Sequence, residues 1–499
     1  MFSYQLISAT SVIVNIASIN NNSGILIMEK LNENRIISIL NNLLPSTGLD
    51  GKFNSPQTLT NRMAHYHTPG VSIAVINDFE IEWAQGFGVC DARFNNKVTT
   101  ETLFQAGSIS KPIFALGVMR LAQEGQVCLD EDIHHYLTSW RVPTNQGWQP
   151  KITLRQLLSH TAGLTVHGFP GYQTSETLPT VNQILNGEPP ANSAKVEVNI
   201  LPGTQFRYSG GGTTVAQQLL VDLLQMPFPK IMHGLILGPL EMTRSTYEQP
   251  PQKRWKKATA HPWKGIPLKG KFHVYPEMAA AGLWTTATDL AKVGVELLKV
   301  LHKKKQPSLL SKETIESMLN PQLDHQKMAE DDFVGLGFFC SGKEDEFNFG
   351  HGGWDEGFVA KMRFHKNLGK GAVVMINSNE GYLLLDEIMR AIAQEYNWPN
   401  AFPKEKIPAS LASLHDYSGL YSTKTGMEFR VSVMNDSLML HYGQQPPLPI
   451  FPLSEVEFFT KTINAGIRFE KSDRGSVVSI TVNQAGNQMK ADKQDMAQA

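Results

Sequence analysis

The sequence predicts an α+β chain: an antiparallel sheet flanked by helices with a helical subdomain, followed by a small all-β barrel. Three observations point there. β-Branched runs at 69–76 and 80–89, joined by Asn77-Asp78, and two more at 357–365 and 371–376 bracket a helix-rich middle, so distant parts of the chain complete one sheet. A proline-rich stretch, WPNAFPKEKIP at 398–408, then interrupts all periodicity. Beyond it, residues 417–483 alternate apolar and polar positions with period two, as six or more short strands separated by Gly and Asn-Asp turns. A chain of 499 residues is long enough for two or three domains.

Taken in order, residues 1–28 carry no charge and include a mildly apolar run, Leu6–Ala17. A secretory signal needs a cationic start, which Met-Phe-Ser-Tyr-Gln lacks. Two readings stay open: a weak signal leading to the periplasm or outside, and a cytoplasmic chain whose fold begins near Met28. No run reaches the roughly 18 apolar residues of a membrane span. A helical pattern starts at Met28, and the first globular unit is expected over 29–397. Helical periods follow at 108–125, where Ile113, Leu116, Met119 and Leu121 lie near one face and Gly125 closes the helix, and at 152–159, 213–225, 288–301 and 385–396. A linker is expected at 398–412, the barrel at 413–487, and a fraying polar tail at 488–499.

Composition narrows the function. With 45 Lys+Arg against 46 Asp+Glu, the chain lacks the basic excess of a nucleic-acid binder. Three widely spaced cysteines, Cys90, Cys128 and Cys340, form neither a disulfide framework nor a metal knuckle and read as buried thiols. The histidine pairs at 65/67 and 134/135 lack metal-ligand spacing, so neither metal nor organic cofactor is expected.

Three segments carry chemistry-bearing residues. In Ser108-Ile109-Ser110-Lys111, the one Ser-x-x-Lys of the chain, a serine stands at a helix start with lysine one turn on. An unprotonated amine there can take the hydroxyl proton; equally, Ser108 can be an N-cap and Lys111 a solvated residue. In LPGTQFRYSGGG, Tyr208 can act as acid or base ahead of a helix, or pack as a turn aromatic. In Phe349-Gly350-His351-Gly352-Gly353-Trp354, glycines let backbone approach a ligand, an extended edge can pair with a peptide-like substrate, and His351 supplies a polar or cationic contact or a structural one.

Together these segments resemble the active-site elements of the serine β-lactamase and penicillin-binding-protein superfamily, in its class C-like branch of esterases and D-aminopeptidases. The segments PGVSIAVI, TLFQAGSISKP, ITLRQLLSHTAGL, ILGPLEMTRSTY and AAAGLWTTATDLAKVG are similar as well, so the resemblance covers about residues 55–395. It implies a β-lactamase/transpeptidase-like fold and a serine hydrolase working through an acyl-enzyme on an ester, an amide or D-amino-acid peptide, or a lactam. Ser108 is then the nucleophile, Lys111 its base, and Tyr208 the proton relay. The N–H groups of Ser108 and Trp354 form the oxyanion hole, Gly210, His351, Gly352 and Gly353 line the substrate, and Ser159-His160-Thr161 braces the site. Gly210 stands where relatives carry Asn, and His351-Gly352-Gly353 where they carry Lys-Thr-Gly or His-x-Gly; both departures point away from an efficient β-lactamase. A literal Lys424-Thr425-Gly426 lies in the β-rich region and reads as hairpin turn chemistry. That region resembles the lipocalin-like accessory domain of some of these peptidases. The implied partners are a small-molecule or short-peptide substrate of cell-wall type and further copies of the chain, with a penicillin-binding or non-catalytic scaffold protein as the alternative. The stretch Lys253–Lys271 holds seven cations and no acid, and reads as a solvated loop or an attractor of anions.

Overall fold

A computed structural model of the chain describes residues 32–43, 56–323, 332–399, 414–423, 426–434, 437–442, 447–460, 465–472, 475–484 and 487–494. The main sheet is built from β1 (Gly70–Asn77), β2 (Glu80–Gly88), β3 (Phe333–Val334), β4 (Phe339–Ser341), β5 (Asn348–Asp355), β6 (Phe358–His365) and β7 (Lys370–Ile376). Its order is β2-β1-β7-β6-β5-β4-β3, antiparallel throughout. The register Val71↔Ile376 joins the opening hairpin to the last strand, as the bracketing pattern requires.

Both faces of this sheet are covered. In β1, Val71, Ile73 and Val75 belong to one core, with helices α1 (residues 32–41), α2 (Leu59–His65) and a late helix, Tyr382–Glu395. Ala74 and Ile76 face the larger core shared with the helical middle. Burial on both sides explains why β1 and β7 read as continuous apolar runs rather than alternating ones.

The middle contains α3 (Ser110–Gln123), α4 (Leu154–Leu158), α5 (Gly210–Leu224), α6 (Met278–Ala281) and α7 (Ala287–Leu301); Tyr382–Glu395 is α8. Helix α3 departs from the one-faced amphipathic expectation: all but three of its residues are buried, because it runs through the centre of the larger core. Helix α5 begins at Gly210, three residues earlier than expected, because the Ser209 hydroxyl accepts the Gly212 N–H at 2.8 Å and caps it. Cys90 and Cys340 are buried, but Cys128 is exposed, since it follows the end of α3 at the surface.

The C-terminal region is a closed eight-stranded barrel of β8 (Gly419–Ser422), β9 (Glu428–Met434), β10 (Ser437–Tyr442), β11 (Leu448–Pro452), β12 (Glu457–Phe459), β13 (Ala465–Lys471), β14 (Val477–Gln484) and β15 (Asn487–Lys493). Tyr421, Phe429, Phe458 and Phe469 fill its interior. The first part of the tail expected to fray instead belongs to β15, which closes the barrel through Tyr421↔Lys493, while residues 495–499 lie outside the described residues. Its Ala491 is buried and Met489 packs on the core, while Lys490 stays outside. Lys424 and Thr425 lie outside the described residues, as do residues 1–31 and most of the expected linker. Among the described residues no helix is long and apolar enough to cross a membrane.

Candidate active site

The segment ahead of Ser108 is held on both sides. Phe104-Gln105 pairs with Trp284-Thr285, and the Ala106 N–H donates to Leu283 O at 2.9 Å. Gly107 then turns the chain at φ +51°, a left-handed conformation that favours glycine. A Cβ there would sit 2.4 Å from Trp354 N, so β5 and the Gly107 turn meet backbone to backbone. Ser110 fastens the turn: its hydroxyl donates to Gly107 O at 2.6 Å and accepts the Leu283 N–H at 3.0 Å.

Ser108 lies in the 3-10 turn Gly107–Ile109 that opens α3. It caps neither helix; the cap positions are Ala106 and Ile109, and neither makes a side-chain cap bond. Lys111 is not solvated either, being only 5% exposed. Its Nζ donates to Ser108 Oγ at 2.9 Å and to Ala280 O of α6 at 2.7 Å. Burial and two fixed acceptors aim the amine at the serine, which excludes the surface-helix reading of this pair.

Tyr208, on the loop before α5, comes to the same place: Lys111 Nζ is 5.0 Å from its ring centroid. Around that ring lie His160 at 4.4 Å, His167 at 4.8 Å and His351 at 6.2 Å. His160 Nδ1 accepts the Ser209 N–H at 3.2 Å, which sets the neutral tautomer with its proton on Nε2. The Ser159 and Thr161 hydroxyls are bonded at 2.9 Å, and His160 O accepts the Arg207 N–H at 2.7 Å, so with the Ser209 bond this segment holds the Tyr208 loop on both sides.

His351 is buried on β5, with Nδ1 2.5 Å from Gly352 O. Burial, and secondarily the Lys111 charge, push its pKa down to about 3. It is therefore neutral near pH 7, so of the polar or cationic contact expected from sequence this state suits the polar one. The glycines around it also differ in role. Gly352 is exposed and open, whereas a Cβ on Gly353 would meet Ala106 O at 1.9 Å, so the bare Gly353 admits the segment leading to Ser108. Gly210 is buried beneath the 167–169 loop instead of facing open space.

Strand β4 pairs only with Asn348, Phe349 and Gly350, which leaves the outer edge of β5 from His351 onward without a strand neighbour among the described residues. On this stretch the Gly353 and Trp354 backbone approaches Ala106 and Gly107, the residues just before Ser108. The Trp354 indole is 51% exposed, 5.7 Å from the Tyr382 ring.

Two buried carboxyls escaped the sequence reading. Asp355 is buried on β5, and that burial raises its pKa well above the carboxylate range against the pull of Lys111. Glu277, just before α6, is pushed up to about 8 by burial. Period-two counting from His351 through Gly353 puts Asp355 on the same face, a usable signal; Glu277 offered none. Ala280 likewise reaches the site only through the fold, and His167 comes to lie beside it. No group of three or more metal-binding side chains occurs among the described residues.

Comparison with known proteins agrees with this architecture. The profile of the family described as Beta-lactamase matches residues 56–395. Protein flp of Staphylococcus aureus (strain N315) is 25% identical over 332 residues, covering 64% of this chain and 61% of its own length. A protein named Beta-lactamase from Lysobacter lactamgenus is 28% identical over 260 residues, 49% of this chain and 60% of that one. This chain thus spans about three fifths of the length of the curated relatives it matches. Among solved structures, the octameric penicillin-binding protein homologue from Pyrococcus abyssi superposes with a TM-score of 0.58 at 22% identity, covering 87% of this chain and 98% of that one. The penicillin binding protein from Bacillus halodurans gives 0.53 at 18% identity over 67% of this chain and 99% of that one.

Proposed function

Because the chain belongs to the beta-lactamase family, we propose that it is a serine hydrolase acting through an acyl-enzyme on an ester, amide or lactam carbonyl. The observation that carries this reading is the buried Lys111 amine, held between Ser108 Oγ and Ala280 O. In its neutral form Lys111 keeps one N–H on Ala280 O and turns its lone pair to Ser108 Oγ. The serine proton passes to the amine, the Oγ–carbon bond forms, and the carbonyl electron pair moves onto oxygen. The N–H groups of Ser108 and Trp354 take up that charge; each such donor is worth about 3 kcal/mol of barrier. Collapse breaks the bond to the leaving group, which departs with a proton delivered through Tyr208, and water then releases the acyl chain by the same steps reversed.

A small molecule or short peptide that pairs with the β5 edge fits this geometry best. The neutral His351 and the covered Gly210 favour esters and amides over β-lactams. A homo-oligomer is proposed as well, in line with the octameric Pyrococcus abyssi protein; light scattering on the eluted peak reads it directly. The test of the hydrolase reading is labelling by a fluorophosphonate. Wild type gains one adduct, on the peptide carrying Ser108, and Ser108→Ala gains none. A folded wild type that resists every serine-directed probe supports the scaffold alternative, and labelling by penicillin without turnover supports a penicillin-binding protein.

A further inference from the structure

The segment Thr165–Phe169 is held against the start of α5 with unusual firmness. Val166, β-branched, sits at φ +62°, a conformation costing about 1–3 kcal/mol. The Gly210 N–H donates to His167 O and the Gly211 N–H to Val166 O, both at 3.0 Å, and the Ser209 hydroxyl donates to Thr165 O at 2.7 Å. A Cβ on Gly210 would lie 3.1 Å from His167 O and from the Phe169 ring, and one on Gly211 2.9 Å from Thr165 O. The glycines before α5 thus clear the space in which this strained loop lies.

What the loop delivers is the His167 imidazole, exposed beside the site and 4.8 Å from the Tyr208 ring. Of the three histidines around Tyr208, His160 and His351 each commit Nδ1 to backbone. His167 commits neither ring nitrogen to another described residue. Desolvation, and then the Lys111 charge, lower its pKa, so near pH 7 it is neutral and offers one N–H donor and one acceptor. That pair of functions matches an amide or a hydroxyl and gives no charge with which to hold a carboxylate.

We propose that His167 is a specificity residue that hydrogen-bonds an uncharged polar group, an amide or hydroxyl, beside the scissile carbonyl of the substrate. This rests on the serine hydrolase reading above. The test compares p-nitrophenyl N-acetylglycinate with p-nitrophenyl pentanoate, esters of equal chain length, each rate divided by its own hydroxide-catalysed rate. The expected result is that wild type prefers the acetylglycine ester by about tenfold in kcat/KM, the worth of a good hydrogen bond. His167→Ala abolishes that preference while the fluorophosphonate labelling rate of Ser108 stays unchanged, and His167→Gln restores part of it. A preference intact in His167→Ala, or no preference in wild type, overturns the assignment. So does an equal loss on both esters with slowed labelling, which would make His167 a prop for Tyr208. A wild type that neither labels nor hydrolyses either ester overturns the hydrolase reading itself, which separates the two failures.

Discussion

Gly353 and Ala106 are in such close apposition that a methyl group on the glycine would lie 1.9 Å from the alanine carbonyl oxygen. One donor proposed for the oxyanion, Trp354 N–H, is the next residue along, and the other, Ser108 N–H, is two residues from Ala106. The spacing of the two donors thus depends on missing Cβ atoms, at Gly353 and at Gly107. Gly353→Ala pushes β5 off the turn and moves the donors apart. The expected outcome is a loss of kcat/KM of about a hundredfold or more on p-nitrophenyl esters, with destabilisation of about 1–3 kcal/mol by urea unfolding. Full activity in this variant would show that the donors are not where they are placed here.

Lys111 acts on the histidines around Tyr208 through its charge as well as on Ser108. Both the buried His351 and the partly desolvated His167 are held below the ordinary imidazole pKa by desolvation first and by Lys111 second. Replacing it by an uncharged residue of similar length, Lys111→Met, removes the second cause. The His167 pKa, read from the pH dependence of its ring NMR signals, is expected to rise, while esterase activity is lost. An unmoved His167 titration would mean that the amine does not act on this ring.

Glu277 makes stability pH-dependent in a direction opposite to that of an ion-paired acid. Its folded pKa, about 8, lies above the ordinary value of 4.5, so between these the folded chain holds a proton that the unfolded chain has lost. Stability is fully present below the unfolded value and falls as pH rises toward 8. Wild type should therefore lose thermal stability between pH 5 and 8 relative to Glu277→Gln, whose amide cannot titrate. Parallel melting-temperature curves for the two proteins would remove Glu277 from the account.

Substrate preference follows from two positions. With His351 neutral and Gly210 covered by the 167–169 loop, the site provides no cation there for a β-lactam carboxylate. Short p-nitrophenyl esters are expected to turn over faster than nitrocefin in kcat/KM. A reversed ranking would show that another group holds that carboxylate.

Much of this site was legible from sequence because its main pair is local. Ser108 and Lys111 lie one turn apart, and a helix start delivers both wherever the helix packs. Tyr208 and His351 were legible through the glycine patterns next to them. What was not legible depends on packing between distant segments. Nothing near Glu277 announces a buried acid, and nothing in Val166 foretells a left-handed residue, because that loop owes its shape to α5. The fold divides in the same way. The β1 and β7 runs are apolar enough to declare a buried sheet, whereas β15, with the sequence NQMKADK, shows mostly its outer, polar face and passes for a tail. The extended edge at 349–354 was legible, but its place as a strand of the main sheet was masked by glycines that serve a close backbone approach.

The central claim is that the Ser108 hydroxyl, deprotonated by Lys111, becomes covalently acylated during turnover. It is tested most directly by mixing the protein with a slow-leaving ester, quenching in acid within the first turnover, and measuring intact mass followed by peptide mapping. The account predicts an added acyl mass on the peptide carrying Ser108, which decays at the steady-state rate and is absent from folded Ser108→Ala. Hydrolysis that proceeds with no adduct, or with the adduct on another residue, would contradict it.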